Sequence, residues 1–203
     1  MRHARTPRLL AALALTAGAA LLMPQAAAGE GPLDEASTSA RAVVRSATGE
    51  FLGVVTIQRT RAGTLQVTGR LGGLAPGFHG FHIHAVGVCD PNATDPNGVV
   101  VPFVTAGGHL NPGGATHGHH AGDLPVLLVT ADGTTRSLTE TSAVTLANIL
   151  DADGSAFIVH SAPDNYANIP ARYTAAGVPG PDAATLATGD SGGRVACGVI
   201  TRA

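Results

Sequence analysis

His82 and His84, in the run "GFHGFHIHAVG" from Gly77 to Gly87, are the first residues whose type and spacing suit a metal ion. The centre of that run alternates Phe81, His82, Ile83, His84, Ala85. Side chains two apart on a strand project to the same side, roughly 6.5–7 Å apart. Phe81, Ile83 and Ala85 are therefore expected to face a core, and His82 and His84 to face outward together, where two imidazoles can converge on one ion. Two surface histidines on a half-buried strand would read the same way, so this run alone does not decide the matter. The other donors add weight. "GGHLNP" supplies His109, and "THGHHAGD" supplies His117, His119, His120 and Asp123. "FIVHSAPD" supplies His160 at the end of an apolar run, with Asp164 four residues on. Imidazole suits copper and zinc; a planar set of nitrogens favours Cu(II), and a mixed His and Asp set fits tetrahedral zinc. All histidines but one lie beyond residue 28, in a chain without lysine. A solvated face does not require that skew.

The elements that must position these donors read as strands. "RAVVRS" and "EFLGVVTIQ" are separated by the turn "ATG". In "TLQVTGRL", Leu65, Val67 and Leu71 take one face and Gln66, Thr68 and Arg70 the other. "LPVLLVT" and "TTRSLTET" flank "ADG", a hairpin signal. "SAFIVHSA" and "VACGVI" complete a set of short strands spaced by Gly, Pro and Asp turns, which predicts an all-β antiparallel barrel or sandwich. Residues 86–122 and 161–193 break the pattern. They are long and rich in Gly, Pro, Asn and Asp, as functional loops carried on a β scaffold are.

The first 28 residues stand apart. Arg2, Arg5 and Arg8 precede the apolar run Leu9 to Met23, and Ala26 and Ala28 offer a small-residue cleavage site, so 1–28 is expected to be a secretory signal peptide. A transmembrane anchor is the alternative, but the apolar run falls short of the ~20 residues a span needs. "GEGPLDEASTS" is polar and without apolar periodicity, so 29–40 is expected to be a flexible lead-in to a domain at 41–203. Beyond residue 28 the chain carries nine arginines against fourteen acids, −5 overall, which gives no reason to expect nucleic acid or an anionic membrane as partner. Cys89 and Cys197 are the only cysteines, and in an exported chain they are expected to pair; two buried free thiols are the alternative.

Taken in order, "GFHGFHIHAVG", "GGHLNP", "HAGDLP", "IVH…D" and "TGDSGGRVACGVI" resemble the copper–zinc superoxide dismutase family, from about Arg41 to Ala203. "DNYANIPARY" and "PGPDAATLATGD" look most like the secreted actinobacterial branch. The resemblance implies an eight-stranded antiparallel Greek-key β-barrel with long metal-binding and electrostatic loops, and it implies roles for residues at matching positions. His82, His84 and His160 match copper ligands. His109 matches the histidine that bridges copper and zinc. His117, His120 and Asp123 match zinc ligands. Asp164 matches the carboxylate that links the ligands of the two metals, and Arg194 the arginine that attracts superoxide. Thr188 matches the threonine that narrows the channel, His79 a histidine that buttresses the copper-bearing strand, and Cys89 with Cys197 the intrasubunit disulfide. The implied cofactors are copper and zinc, the substrate is the superoxide anion, and the expected location is secreted, as a monomer or homodimer.

Two departures from that family qualify the picture. Only "GH" separates His117 from His120, where the family has a longer run. His119 is out of register and is expected to face solvent or serve as an alternative ligand. The segment between Ser161 and Gly193 holds a single cation, Arg172, with Asp164, Asp182 and Asp190, so electrostatic guidance is expected to be weak. A copper-only dismutase, or an exported metal-binding module without catalysis, are the competing readings. A hydrolytic zinc site is set aside because HExxH is absent, and "NAT" at Asn92 to Thr94 is read as a plain turn rather than a glycosylation sequon.

Overall fold

The computed structural model of the protein describes residues 38–203. Residues 1–37, which carry the signal-peptide reading and most of the lead-in, lie outside the described residues. Alternation of apolar side chains sets the strands. β1 (Ser39–Ser46) buries Ala40, Ala42 and Val44 and turns Arg41, Val43 and Arg45 outward. It begins two residues before Arg41, because Ser39 and Ala40 already pair with Gln58 and Ile57 of β2 (Phe51–Arg59). In β3 (Leu65–Leu71), Leu65, Val67 and Leu71 face the core, as the alternation predicts.

β4 (Gly77–His79) and β5 (Phe81–His84) are one chain path interrupted at Gly80. β6 (Leu127–Val129), β7 (Thr135–Thr141), β8 (Ala156–His160) and β11 (Arg194–Arg202) complete the scaffold. A seven-stranded antiparallel sheet runs in the order β5-β8-β11-β1-β2-β3-β7, and β4 pairs separately with β6. Since β4 continues into β5 and β6 turns into β7, the curled sheet closes on itself. With β4 and β5 counted as one path, the ring has eight strands, and the chain skips neighbours between β3 and β4 and between β7 and β8, as a Greek key requires.

The "ADG" turn forms: Gly133 N donates to Thr130 O and Thr130 N to Thr134 O, both at 2.9 Å. The strands beside it do not ladder with each other, since β6 pairs with β4 and β7 with β3. Local turn chemistry fixes the reversal, whereas burial of Leu127 and Val129 against the core decides the neighbour.

The main core gathers Val55, Ile57, Ile83, Leu127, Ile149 and Val159 around a stacked pair, Phe81 and Phe157, with ring centroids 5.2 Å apart. A smaller cluster of Phe103, Ala106, Ile158 and Cys197 lies beside Cys89. Among the described residues helix is confined to single turns: α1 (Leu146–Ile149), α2 (Thr185–Thr188) and a 3-10 turn at Val104–Ala106. The 161–193 segment also holds a small hairpin, β9 (Thr174–Ala175) with β10 (Val178–Pro179).

Candidate metal centre

His82 and His84 share one side of β5, as alternation predicts, but that side is not solvent. Both are at most 1% exposed. Two loop segments cover them. Leu110 N donates to Ile83 O and Ile83 N to Gly122 O, at 2.8 and 2.9 Å, which lays His109 beside His84 and Asp123 beside His82. The approach is close enough that a Cβ on Gly122 would sit 2.2 Å from Ile83 O, so the glycine of "HAGD" is a steric requirement.

Two four-residue donor groups result, with a smaller set, His82, His117 and Asp164, joining one histidine of each to a carboxylate. Donor atoms of His82, His84, His109 and His160 lie within 4.8 Å of one another, and so do those of His109, His117, His120 and Asp123. His109 belongs to both. Its Nδ1 lies 2.9 Å from Asp123 Oδ1 and 3.2 Å from His120 Nδ1, which leaves Nε2 for the first group. His119 belongs to neither group and is exposed.

Hydrogen bonds fix which nitrogens carry lone pairs. His84 Nδ1 donates to Gly107 O at 2.9 Å and His160 Nδ1 to Gly192 O at 3.2 Å. Their Nε2 atoms then face each other at 3.4 Å, two acceptors aimed at one point. Asp164 ties the groups together: Oδ2 accepts from His82 Nε2 at 2.6 Å and Oδ1 from His117 Nε2 at 2.8 Å. The other nitrogen of each ring, Nδ1 of His82 and of His117, is buried without a hydrogen-bond partner. Buried polar atoms are rarely left unpaired. Here each orphaned nitrogen points into a donor group, so the residues present fit a metal ion in both positions. Four nitrogens suit copper; three imidazoles and a carboxylate suit tetrahedral zinc.

Protonation sets His117 apart from the other buried rings that shift. Burial lowers His82 despite the Asp164 carboxylate. Burial, then the Arg194 charge, holds His84 well below the ordinary histidine value. Burial, then the charge of His82, brings His160 down to about 3. These rings are neutral at neutral pH, the form that binds metal. His117 differs: burial pulls it down, but the Asp123 and Asp164 carboxylates beside it more than offset that and raise it to about 9. Burial likewise works against Asp123 and Asp164, yet their histidine partners hold both carboxyls far below the usual range. A cation is therefore wanted between these carboxylates, and a metal entering there displaces a proton.

The remaining expected residues surround the groups. Arg194, at the start of β11, donates through Nη1 to Phe103 O and through Nη2 to Gly107 O at 2.6 Å. Gly107 O thus holds both the guanidinium and His84. His79 lies buried behind β8, with Nδ1 2.6 Å from His160 O and Nε2 2.8 Å from Ala75 O. Thr188 ends α2, exposed, and its hydroxyl donates to Ala184 O. Cys89 and Cys197 form a disulfide with Cα atoms 5.8 Å apart. Sequence reasoning missed Phe103 and Gly107, which act through backbone carbonyls. Phe103 gives no sequence signal for its left-handed φ of 62°; the Gly107–Gly108 pair at least marks a backbone position of unusual freedom.

The family model described as copper/zinc superoxide dismutase (SODC) matches residues 51–200. A copper–zinc superoxide dismutase of Mycobacterium bovis is 49% identical over 140 residues, covering 68% of this chain. The chain spans 58% of the length of that relative. A copper–zinc superoxide dismutase of Salmonella typhimurium is 37% identical over 164 residues, 77% of this chain and 81% of the relative. Among solved structures, the Cu/Zn superoxide dismutase from Brucella abortus superposes with a TM-score of 0.62 at 31% identity, over 80% of this chain and 99% of that one.

Proposed function

Because the chain belongs to the copper/zinc superoxide dismutase family, we propose that it disproportionates superoxide: two anions and two protons give one dioxygen and one hydrogen peroxide. The observation that carries the reading is His109, shared by two donor groups whose unpartnered nitrogens point inward. His82, His84, His109 and His160 would hold copper, and His109, His117, His120 and Asp123 would hold zinc. Copper supplies a one-electron couple, and zinc a fixed charge without redox chemistry.

The chain's own residues supply the rest. The carbonyls of Gly107 and Gly192 keep the protons of His84 and His160 on Nδ1. Asp164 orients His82 and His117 together, so the two groups keep one geometry. Arg194 engages two carbonyls and keeps further N–H donors for a small anion. Its charge is permanent, which matters because the chain's excess of acids repels superoxide on average. His109 Nε2, the nitrogen its Nδ1 contacts leave to the first group, would hold a proton and pass it to the reduced product.

Residues 41–203 form the catalytic domain in this reading. Residues 1–28 direct export by their charged, apolar and small-residue order. The Cys89–Cys197 disulfide is compatible with an extracellular or periplasmic compartment.

The test is the decay of superoxide in the presence of metal-loaded protein, wild type beside Arg194→Ala. The wild type should accelerate decay in proportion to its concentration. The variant should be slower by about tenfold or more, in line with the loss of local steering. Loaded wild type that leaves the spontaneous rate unchanged would overturn the proposal.

A further inference from the structure

The short ligand loop poses a packing problem. Two residues separate His117 from His120, yet both imidazoles must turn toward one oxygen of Asp123. The loop solves this by winding around that carboxylate: Gly118 N and His120 N donate to Asp123 Oδ2 at 2.8 and 3.0 Å. Asp123 Oδ1 is left to face Nδ1 of His109, His117 and His120, at 2.9, 3.4 and 3.3 Å. From outside, His117 N donates to Leu186 O at 2.8 Å. Further contacts come from Tyr166.

Tyr166 reaches three parts of the site. Its N donates to Asp164 Oδ1 at 2.7 Å, the same oxygen that accepts from His117 Nε2. Its hydroxyl accepts from Val126 N at 2.8 Å, in the stretch between Asp123 and β6. Its carbonyl packs against Gly118, where a Cβ would sit 2.6 Å from Tyr166 O. Tyr166 and Ala167 both adopt left-handed backbone, with φ of 56° and 53°. A bulky residue stays in that region when its surroundings hold it there. The strained turn is what points N, carbonyl and ring at three separate targets.

We propose that Tyr166 is a positioning residue for the second donor group: it closes the shortened His117–Asp123 loop by tying Asp164, Gly118 and Val126 together, and so sets how firmly that group holds zinc. The inference rests on the reading of His109, His117, His120 and Asp123 as a zinc site.

Two variants separate its parts. Tyr166→Phe removes only the hydroxyl that accepts from Val126. Tyr166→Asn removes the ring and keeps a residue that tolerates left-handed backbone. Each full-length protein is loaded with copper and zinc, and zinc release to a chromogenic chelator is followed in time. The visible band of copper and thermal unfolding of the metal-free protein are recorded alongside. Tyr166→Phe should release zinc about three- to tenfold faster, the effect of one neutral hydrogen bond, and Tyr166→Asn faster still. The copper band and the metal-free unfolding midpoint should stay near wild type. Variants that release zinc at the wild-type rate would overturn the proposal, as would a lowered metal-free midpoint with unchanged release, the mark of a merely structural role. Wild type that takes up no zinc at all would overturn the zinc reading and this proposal together, an outcome distinct from wild type that binds zinc and variants that match it.

Discussion

Asp164 shows at the scale of one residue how the site is held together. Its two oxygens accept from His82 and His117, one histidine of each donor group, and Tyr166 N adds a third bond. An amide at this position keeps the volume but offers one acceptor where the carboxylate offered two. Asp164→Asn should therefore weaken zinc binding by about 10–100-fold, the usual scale for a partner that orients ligands. Competition against a chelator of known affinity measures it, and an unchanged zinc affinity would count against the linking role. The donors themselves were legible in the sequence, because metal binding demands particular side chains and nine histidines in a chain without lysine announce them. Their supports were not. Gly107 O and Phe103 O hold Arg194 and His84 through backbone atoms that every residue type possesses.

At the scale of elements, short apolar runs on either side of a turn revealed β1 and β2, and period-two alternation revealed β3 and the side of β5 that bears His82 and His84. It did not reveal that this side is buried, since the cover comes from segments near residues 109 and 122, far along the chain. It also missed the neighbours of β6 and β7, because turn residues specify a reversal and long-range burial specifies a partner. The disulfide belongs to this scale as well. Cys89 and Cys197, 108 residues apart, pin the start of the first long loop to β11, next to the cluster containing Phe103. Replacing both cysteines with alanine should lower the stability of the metal-free protein by about 4–5 kcal/mol in the chain-entropy model. Denaturant titration reads this directly, and coincident midpoints for the two proteins would contradict it.

At the scale of the whole molecule, one closed sheet carries two loops that meet over β5, and charge is distributed unevenly around them. In the 161–193 loop, Asp182 caps Thr185 N, and Asp190 accepts from Asn165 and Thr185, so these two acids, unlike Asp164, which holds His82 and His117, serve the loop's own turns. Its single arginine, Arg172, lies over the ring of Tyr173 at 4.9 Å. Under the proposed function, attraction of superoxide would fall to Arg194 and to a copper ion held by the first donor group, both at short range. Short-range attraction is screened less than long-range steering. The dismutation rate constant should fall only shallowly as ionic strength rises, and a steep fall would contradict that assignment. The central claim is that these loops build two ion positions sharing His109. It is tested most directly by the metal content of purified protein exposed to both ions. One copper and one zinc per chain is the predicted result; copper near one per chain with no zinc would contradict it.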